Sequence, residues 1–251
     1  MILWTQMGPH LRRMVPETLR RVWRLRRIEA IRVRNRARGA AEIFTDIYRN
    51  NRWGGEHGNY HSGSGSTLRH AELYAGLVKR FVREHDVQHL VDLGCGDFRI
   101  GAQLAEATVT YTGIDIVPSL IEDNRRRYGN DRVRFECLDI IEDELPEGDL
   151  CLVRQVLQHL SNEQIGRVLR NVARYRWVIV TEHYPAAAKL RRKNVDKPCG
   201  EDVRIYDGSA VFLDAPPFNC QLSGPLLDVD AGHYLVHPGE RIRSYLLENA
   251  R

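Results

Sequence analysis

Between residues 89 and 182 the chain alternates short apolar runs with amphipathic stretches, and this alternation limits the fold more than any other feature. HLVDLG (89–94), TYTGIDI (110–116), VRFECLDI (133–140), DLCLV (149–153) and WVIVTE (177–182) read as buried strands, each short, apolar and bounded by turn residues. Helices are expected over 100–107, near 118–128 and over 161–174. Strands alternating with helices form right-handed βαβ units and a parallel sheet. After residue 184 the regularity fades. KNVDKPCGEDVRIYDG reads as loop, and SAVFL and RIRSYLLE as closing strands.

Upstream the pattern is helical. Pro16 and Glu17 suit a first turn, and Leu19, Val22, Leu25 and Ile28 recur among arginines as one amphipathic stripe. Further helices are expected over 41–50 and about 67–85, the latter with Leu73, Leu77, Val78, Phe81 and Val82 on one face. Residues 1–40 hold eleven arginines against two glutamates, a net charge of +9, while the whole chain carries +4. A basic arm is thus joined to a mildly acidic body. Three parts follow: an arm at 1–40, a helical segment with a Gly/Ser-rich stretch at 41–88, and a core at 89–251 with loops over 184–220. No apolar run is long enough to cross a bilayer. The amino terminus does not read as a signal peptide. The five cysteines form no CxxC pair, which suggests reduced thiols in a cytoplasmic protein, not a disulfide or metal framework.

The chemistry-bearing segment is VDLGCGDFRIG (91–101), a strand followed by Gly94 and Gly96. Glycines there let the backbone turn sharply and approach a ligand. A dinucleotide site would want GxGxxG, but Arg99 holds the third position and would block close helix–strand packing. The segment instead resembles motif I of class I S-adenosylmethionine (SAM)-dependent methyltransferases, with Asp92 as the acidic residue before the glycines. Phe98 stands where many members carry a third glycine.

The resemblance continues along residues 43–219. It implies an α/β, Rossmann-like seven-stranded sheet with a helical amino-terminal extension. It also implies that Asp115 binds the ribose hydroxyls of SAM, that Asp139 meets the adenine amine, and that Asp92 receives the ammonium or orders the loop. Cys95, Ile116 and Ile140 neighbour these positions, and Arg154 and Gln155 follow strand four beside the transferred methyl. Carboxylates suit a diol and an amine as hydrogen-bond acceptors. In open α/β sheets, ligands bind at the carboxyl ends of the strands, where all three aspartates fall. The order WG…SGSGS, DLGCGDF, YTGID, LVRQVLQHLS, N-x-D and PPF resembles a bacterial subgroup often associated with polysaccharide or sugar-metabolite biosynthesis. This implies a small-molecule or glycan acceptor, with a hydroxyl of a sugar as the methylated group; the alternatives are an RNA or protein methyltransferase that uses the basic arm, and a SAM-binding or scaffold protein without turnover. Gln155 replaces the carboxylate many members carry, so no base role passes to it.

Two histidines near the strand ends, His159 and His183, are the candidate proton acceptors, since imidazole titrates in the useful range. Asn194, Asp196 and Arg204 form a candidate acceptor loop. The stretch WGGEHGNYHSGSGST (53–67) has glycine or serine at eight of fifteen positions. It reads as a lid over the cofactor edge, with His57, Tyr60 and His61 as candidate acceptor contacts; a plain linker is the alternative. For the arm three readings stand in order: a helix packed on the body or a partner, a peripheral contact of residues 11–38 with the inner membrane surface, and nucleic-acid binding. Oligomeric state is not legible in the sequence.

Overall fold

A computed structural model describes residues 16–54, 60–63, 68–231 and 238–248. Its centre is a seven-stranded sheet of β1 (His89–Leu93), β2 (Thr110–Asp115), β3 (Val133–Cys137), β4 (Leu150–Arg154), β5 (Trp177–Tyr184), β6 (Leu222–Asp230) and β7 (Arg241–Leu247). The strand order is β3-β2-β1-β4-β5-β7-β6, parallel through β5, with β7 antiparallel to both β5 and β6. This is the Rossmann-like class I methyltransferase architecture that the motifs implied. Parallel strands are covered on both faces, so β1 and β4 are almost continuously buried. The order reverses between β1 and β4, which opens a crevice at their carboxyl ends.

The helices are α1 (Glu17–Asn35), α2 (Ala40–Arg49), α3 (Leu68–Glu84), α4 (Gly101–Ala105), α5 (Pro118–Tyr128) and α6 (Asn162–Val172). A capping box starts α6: Ser161 accepts from the Gln164 amide while the Gln164 side chain accepts from the Ser161 amide. On α3, Leu77, Val78, Phe81 and Val82 are buried as their spacing suggests, but Leu73 faces solvent.

Three expectations change. SAVFL is not a strand; Ala210, Val211 and Leu213 are buried beneath loops, so their apolar character serves packing without ladder bonds. The seventh strand is instead β6, which the sequence hides because Gly224 and Pro225 interrupt it. A proline is tolerated at a sheet edge, and the β6–β7 register shifts between Ser223 and Leu227. Finally, the α1 stripe divides. Ile28 is buried on the body, whereas Leu19, Val22 and Leu25 are exposed.

The carboxyl-terminal half of α1 is fastened by charge. Arg32 donates through Nε (3.0 Å) and Nη2 (2.8 Å) to Asp202, and also to Asp207. Asp202 is buried, so removing the guanidinium leaves this carboxylate facing Lys197 alone, at 3.6 Å. Arg32→Ala should cost about 3 kcal/mol in denaturant unfolding and open the α1 junction to limited proteolysis. A stability within experimental error of the parent would contradict this account.

Candidate active site

The crevice at the carboxyl ends of β1, β2 and β4 deepens into a cavity of about 350 Å³. Its floor is the glycine loop. Gly94 and Gly96 have φ of +73° and +56°, and the Gly94 and Cys95 amides donate to the Ile114 carbonyl at 2.8 and 2.9 Å. A Cβ on Gly94 would run into the Val156 side chain, and one on Gly96 into Ser62.

The loop is held from two sides. Asp115 accepts from the Gly96 amide (3.2 Å) and the Val117 amide (3.1 Å), while Asn124 donates to the Gly96 carbonyl (2.8 Å). Phe98 takes φ +59°, a region costly for a bulky residue. Its ring compensates by packing among Tyr111, Tyr128 and Phe135 at centroid distances of 5.2, 5.0 and 4.9 Å. Gly101 makes room for that ring, since any Cβ there would strike it and the Tyr111 hydroxyl. The expected helix over 100–107 shrinks to α4, and the loop runs on to residue 100.

Asp92, Asp115 and Asp139 all line the cavity, with Cys95, Ile116, Ile140, Arg154 and Gln155 between them. Asp92 accepts from the Tyr111 hydroxyl at 2.6 Å. Burial pushes its carboxyl up to about 6, against the pull of the Tyr111 hydrogen bond and the Arg154 charge. Burial likewise pushes Asp115 up to about 6, despite the backbone amides it holds. Asp139, more open, is raised mainly by burial and accepts from the Ile141 amide at 2.9 Å. The Arg154 guanidinium lies over the Tyr74 ring at 5.2 Å. Gln155 sits at φ +55°, its amide donating to the Thr181 carbonyl at 2.7 Å.

Over the cavity stand Phe44 and Tyr48 of α2, with Trp53 just beyond them. Tyr48 meets Trp53 edge-on at 5.2 Å and Tyr60 at 5.9 Å. Ser62 closes this roof onto the glycine loop. Its hydroxyl accepts from the Asp97 amide (2.7 Å) and lies 2.9 Å from the Tyr48 hydroxyl, while its own amide donates to the Asp97 carboxylate (3.2 Å). Residues 60–63 are therefore packed against α2 and the glycine loop. Neither Tyr60 nor His61 lines the cavity, and the Nδ1 of His61 accepts from the Gly63 amide at 3.0 Å. His57 and residues 64–67 lie outside the described residues. Gly96→Ala should displace Ser62 and weaken SAM binding by roughly tenfold or more, since the added methyl costs a few kcal/mol of overpacking. Calorimetry checks this, and unchanged affinity would refute the docking.

The two histidines differ. His159 lines the cavity from a short 3-10 helix, Leu157–His159, with its ring 5.4 Å from Trp53 and Nδ1 3.1 Å from the Gly200 carbonyl. Burial and the nearby Lys197 charge bring its pKa down to about 4, so it is neutral at pH 7 and a weak proton acceptor. His183, near the end of β5, also lines the cavity. Its Nε2 lies 3.1 Å from Oε2 of the fully buried Glu240, a close approach without hydrogen-bond alignment. Glu182 points the other way: it accepts from the Leu157 amide at 2.9 Å and anchors the His159 turn.

The expected acceptor loop gives way to scaffolding. Asn194 spends its side chain on the Phe212 and Pro216 carbonyls (2.8 Å each) and the Phe212 amide (2.7 Å). Asp196 accepts from the Asn162 amide at 2.7 Å, and buried Arg204 donates to the Leu160 carbonyl at 2.6 Å and to Asn162 at 2.9 Å. None of the three lines the cavity; Glu201, Val203 and Tyr206 do so from the same segment.

Residues 91–175 match the family model of a methyltransferase domain. That match covers about a third of the chain, and the sheet order and the glycine turn after β1 are those of the Rossmann-like class I methyltransferase fold. The chain is 34% identical over 88 residues to a malonyl-[acyl-carrier protein] O-methyltransferase of Anoxybacillus flavithermus, covering 34% of this chain and 33% of that one. The chain thus spans about a third of the curated relative it matches. Among solved structures, the N-methyltransferase NodS from Bradyrhizobium japonicum aligns at TM-score 0.49 and 15% identity, over 70% of this chain and 94% of that one. Human N-acetylserotonin methyltransferase in complex with SAM aligns at TM-score 0.49 and 14% identity, over 85% and 60%.

The residues on the floor fit SAM. Glycines at 94 and 96 leave the loop uncrowded, and the acceptors Asp92, Asp115 and Asp139 match the ammonium, ribose hydroxyls and adenine amine of that molecule.

Proposed function

We propose that this chain transfers the methyl group of SAM to a hydroxyl of a sugar or glycan intermediate. The observation that carries the reading is one cleft with three strand-end carboxylates on its floor and His183, backed by Glu240, on its far wall. When bound, SAM supplies an activated methyl on its sulfonium. Asp115 accepts the ribose hydroxyls, Asp139 the adenine amine, and Asp92 the ammonium. The glycine loop, with no Cβ at Gly94 or Gly96, lets the methionyl end approach its backbone closely. Phe44, Tyr48 and Trp53 exclude water and offer apolar faces to a sugar ring. His183 takes the proton from the acceptor hydroxyl, and Glu240 stabilises the imidazolium that results.

Nucleic acid is a weaker alternative, because Arg32 is tied to Asp202 and Asp207, and Arg38 to Glu42 and Asp46. Among the described residues no helix is long and apolar enough to cross a membrane.

Calorimetry with SAM and with its demethylated product tests the cofactor part. The free protein holds Asp92 and Asp115 near 6, and only their ionised forms suit a cationic ligand, so binding favours proton release. Affinity should be level above pH 7 and fall between pH 6 and 5 by up to tenfold per unit for each titrating carboxylate. A folded chain that binds neither molecule at pH 7.5 would overturn the proposal. For the acceptor, a panel of sugar, amine and carboxylate compounds is assayed for methyl transfer. Turnover confined to carboxylates or amines would remove the hydroxyl assignment.

A further inference from the structure

The arginines and apolar residues of α1 are sorted between its two faces. At 100° per residue, Arg24, Ile28, Arg32 and Asn35 share one side. All four engage the body: Arg24 lies over Tyr206 at 5.6 Å, Arg32 pairs with Asp202, Asn35 donates to the Cys199 carbonyl at 3.2 Å, and Ile28 is buried. The opposite side carries Leu19, Val22 and Val33, which are 59%, 49% and 57% exposed. Arg26 lies within that outer arc and Arg34 and Arg27 along its flank; all three are exposed and pair with no carboxylate among the described residues.

A face of this kind needs a partner that offers negative charge and an apolar layer together. A nucleic-acid backbone meets the arginines but gives three exposed aliphatic side chains nothing to bury against. The interface of an anionic bilayer supplies both, with headgroup charge above the acyl boundary. We propose that the outer face of α1 docks the protein on an anionic membrane surface. The inner face of the same helix contacts Tyr206, which lines the cavity, so docking would hold that wall of the site beside the membrane. The inference does not depend on the reaction proposed above.

The test is flotation of the full chain with vesicles of phosphatidylcholine alone or with one third phosphatidylglycerol, at low and high salt. The expected result is retention on the anionic vesicles only, weakened by salt. The variant Arg26→Gln/Arg27→Gln/Arg34→Gln should bind about a hundredfold more weakly, at roughly fivefold per arginine. Val22→Ser/Val33→Ser should also weaken binding with all charges kept. Circular dichroism and melting temperature confirm that each variant is folded. Failure to float, equal flotation with neutral vesicles, or retention unaffected by Val22→Ser/Val33→Ser would overturn the proposal. RNA binding that depends on the arginines and ignores the valines, without flotation, would assign the face to nucleic acid instead.

Discussion

Asp115→Ala should lower SAM affinity by roughly a hundredfold to ten-thousandfold, the largest binding effect expected of any single change. Two charge-assisted hydrogen bonds to a ribose diol are each worth about 1.5–3 kcal/mol. The same carboxylate also holds the Gly96 and Val117 amides, so its loss loosens the loop that shapes the cofactor floor. Fold and function separate in Asp115→Asn. Burial holds the Asp115 carboxyl up near 6, above its ordinary value of 3.8, so the folded state binds the proton more tightly than the unfolded one. The ionised form therefore costs stability at pH 7, a cost that fades as the pH falls from about 6 toward 4. The asparagine variant escapes that cost while losing an acceptor, and should unfold within about 1 kcal/mol of the parent despite poor SAM binding. Calorimetry and urea unfolding on the same samples read both quantities. Parental SAM affinity in Asp115→Ala would remove the residue from the cofactor site.

His183→Ala should reduce kcat by about a hundredfold to ten-thousandfold while leaving the affinity for SAM unchanged, as expected for loss of a general base. In the proposed reaction Glu240 acts through His183, as a positioning residue. Glu240→Gln keeps the shape and removes the charge that stabilises an imidazolium 3.1 Å away. It should lower kcat by about tenfold or more with KM for SAM unchanged, and Glu240→Asp should restore part of the rate. A merely structural carboxylate would show itself differently, in melting temperature and KM together. Full activity in His183→Ala would leave the cleft without this base and favour an acceptor that needs no proton removal.

The site divides between local and distant determinants. Asp92 and Asp115 were legible because each belongs to the end of its own buried strand, and Asp139 because it follows one closely. Ser62 was only one polar residue among several in its stretch. It matters because Gly96, with no Cβ, leaves room for its hydroxyl. Glu240 carried no signal at all. The antiparallel pairing of β5 with β7, which sets Tyr184 against Arg241, is what carries it to His183. Asn194, Asp196 and Arg204 looked like acceptor contacts because polar residues in a loop are often functional. In place Asn194 and Arg204 satisfy backbone carbonyls of the packed segments around them and Asp196 the first amide of α6, a demand that exists only once those segments are packed.

The sequence alone determined the parallel core, the glycine turn after β1 and the carboxylates at the strand ends. Strand period, turn chemistry and strand-end placement are properties of a few neighbouring residues. Tertiary structure decided that an edge strand tolerates Gly224 and Pro225, that Phe98 accepts a left-handed backbone, which face of α1 meets the body, and that Glu240 stands behind His183. Each of these depends on partners far along the chain, and no local pattern records a contact that only folding creates.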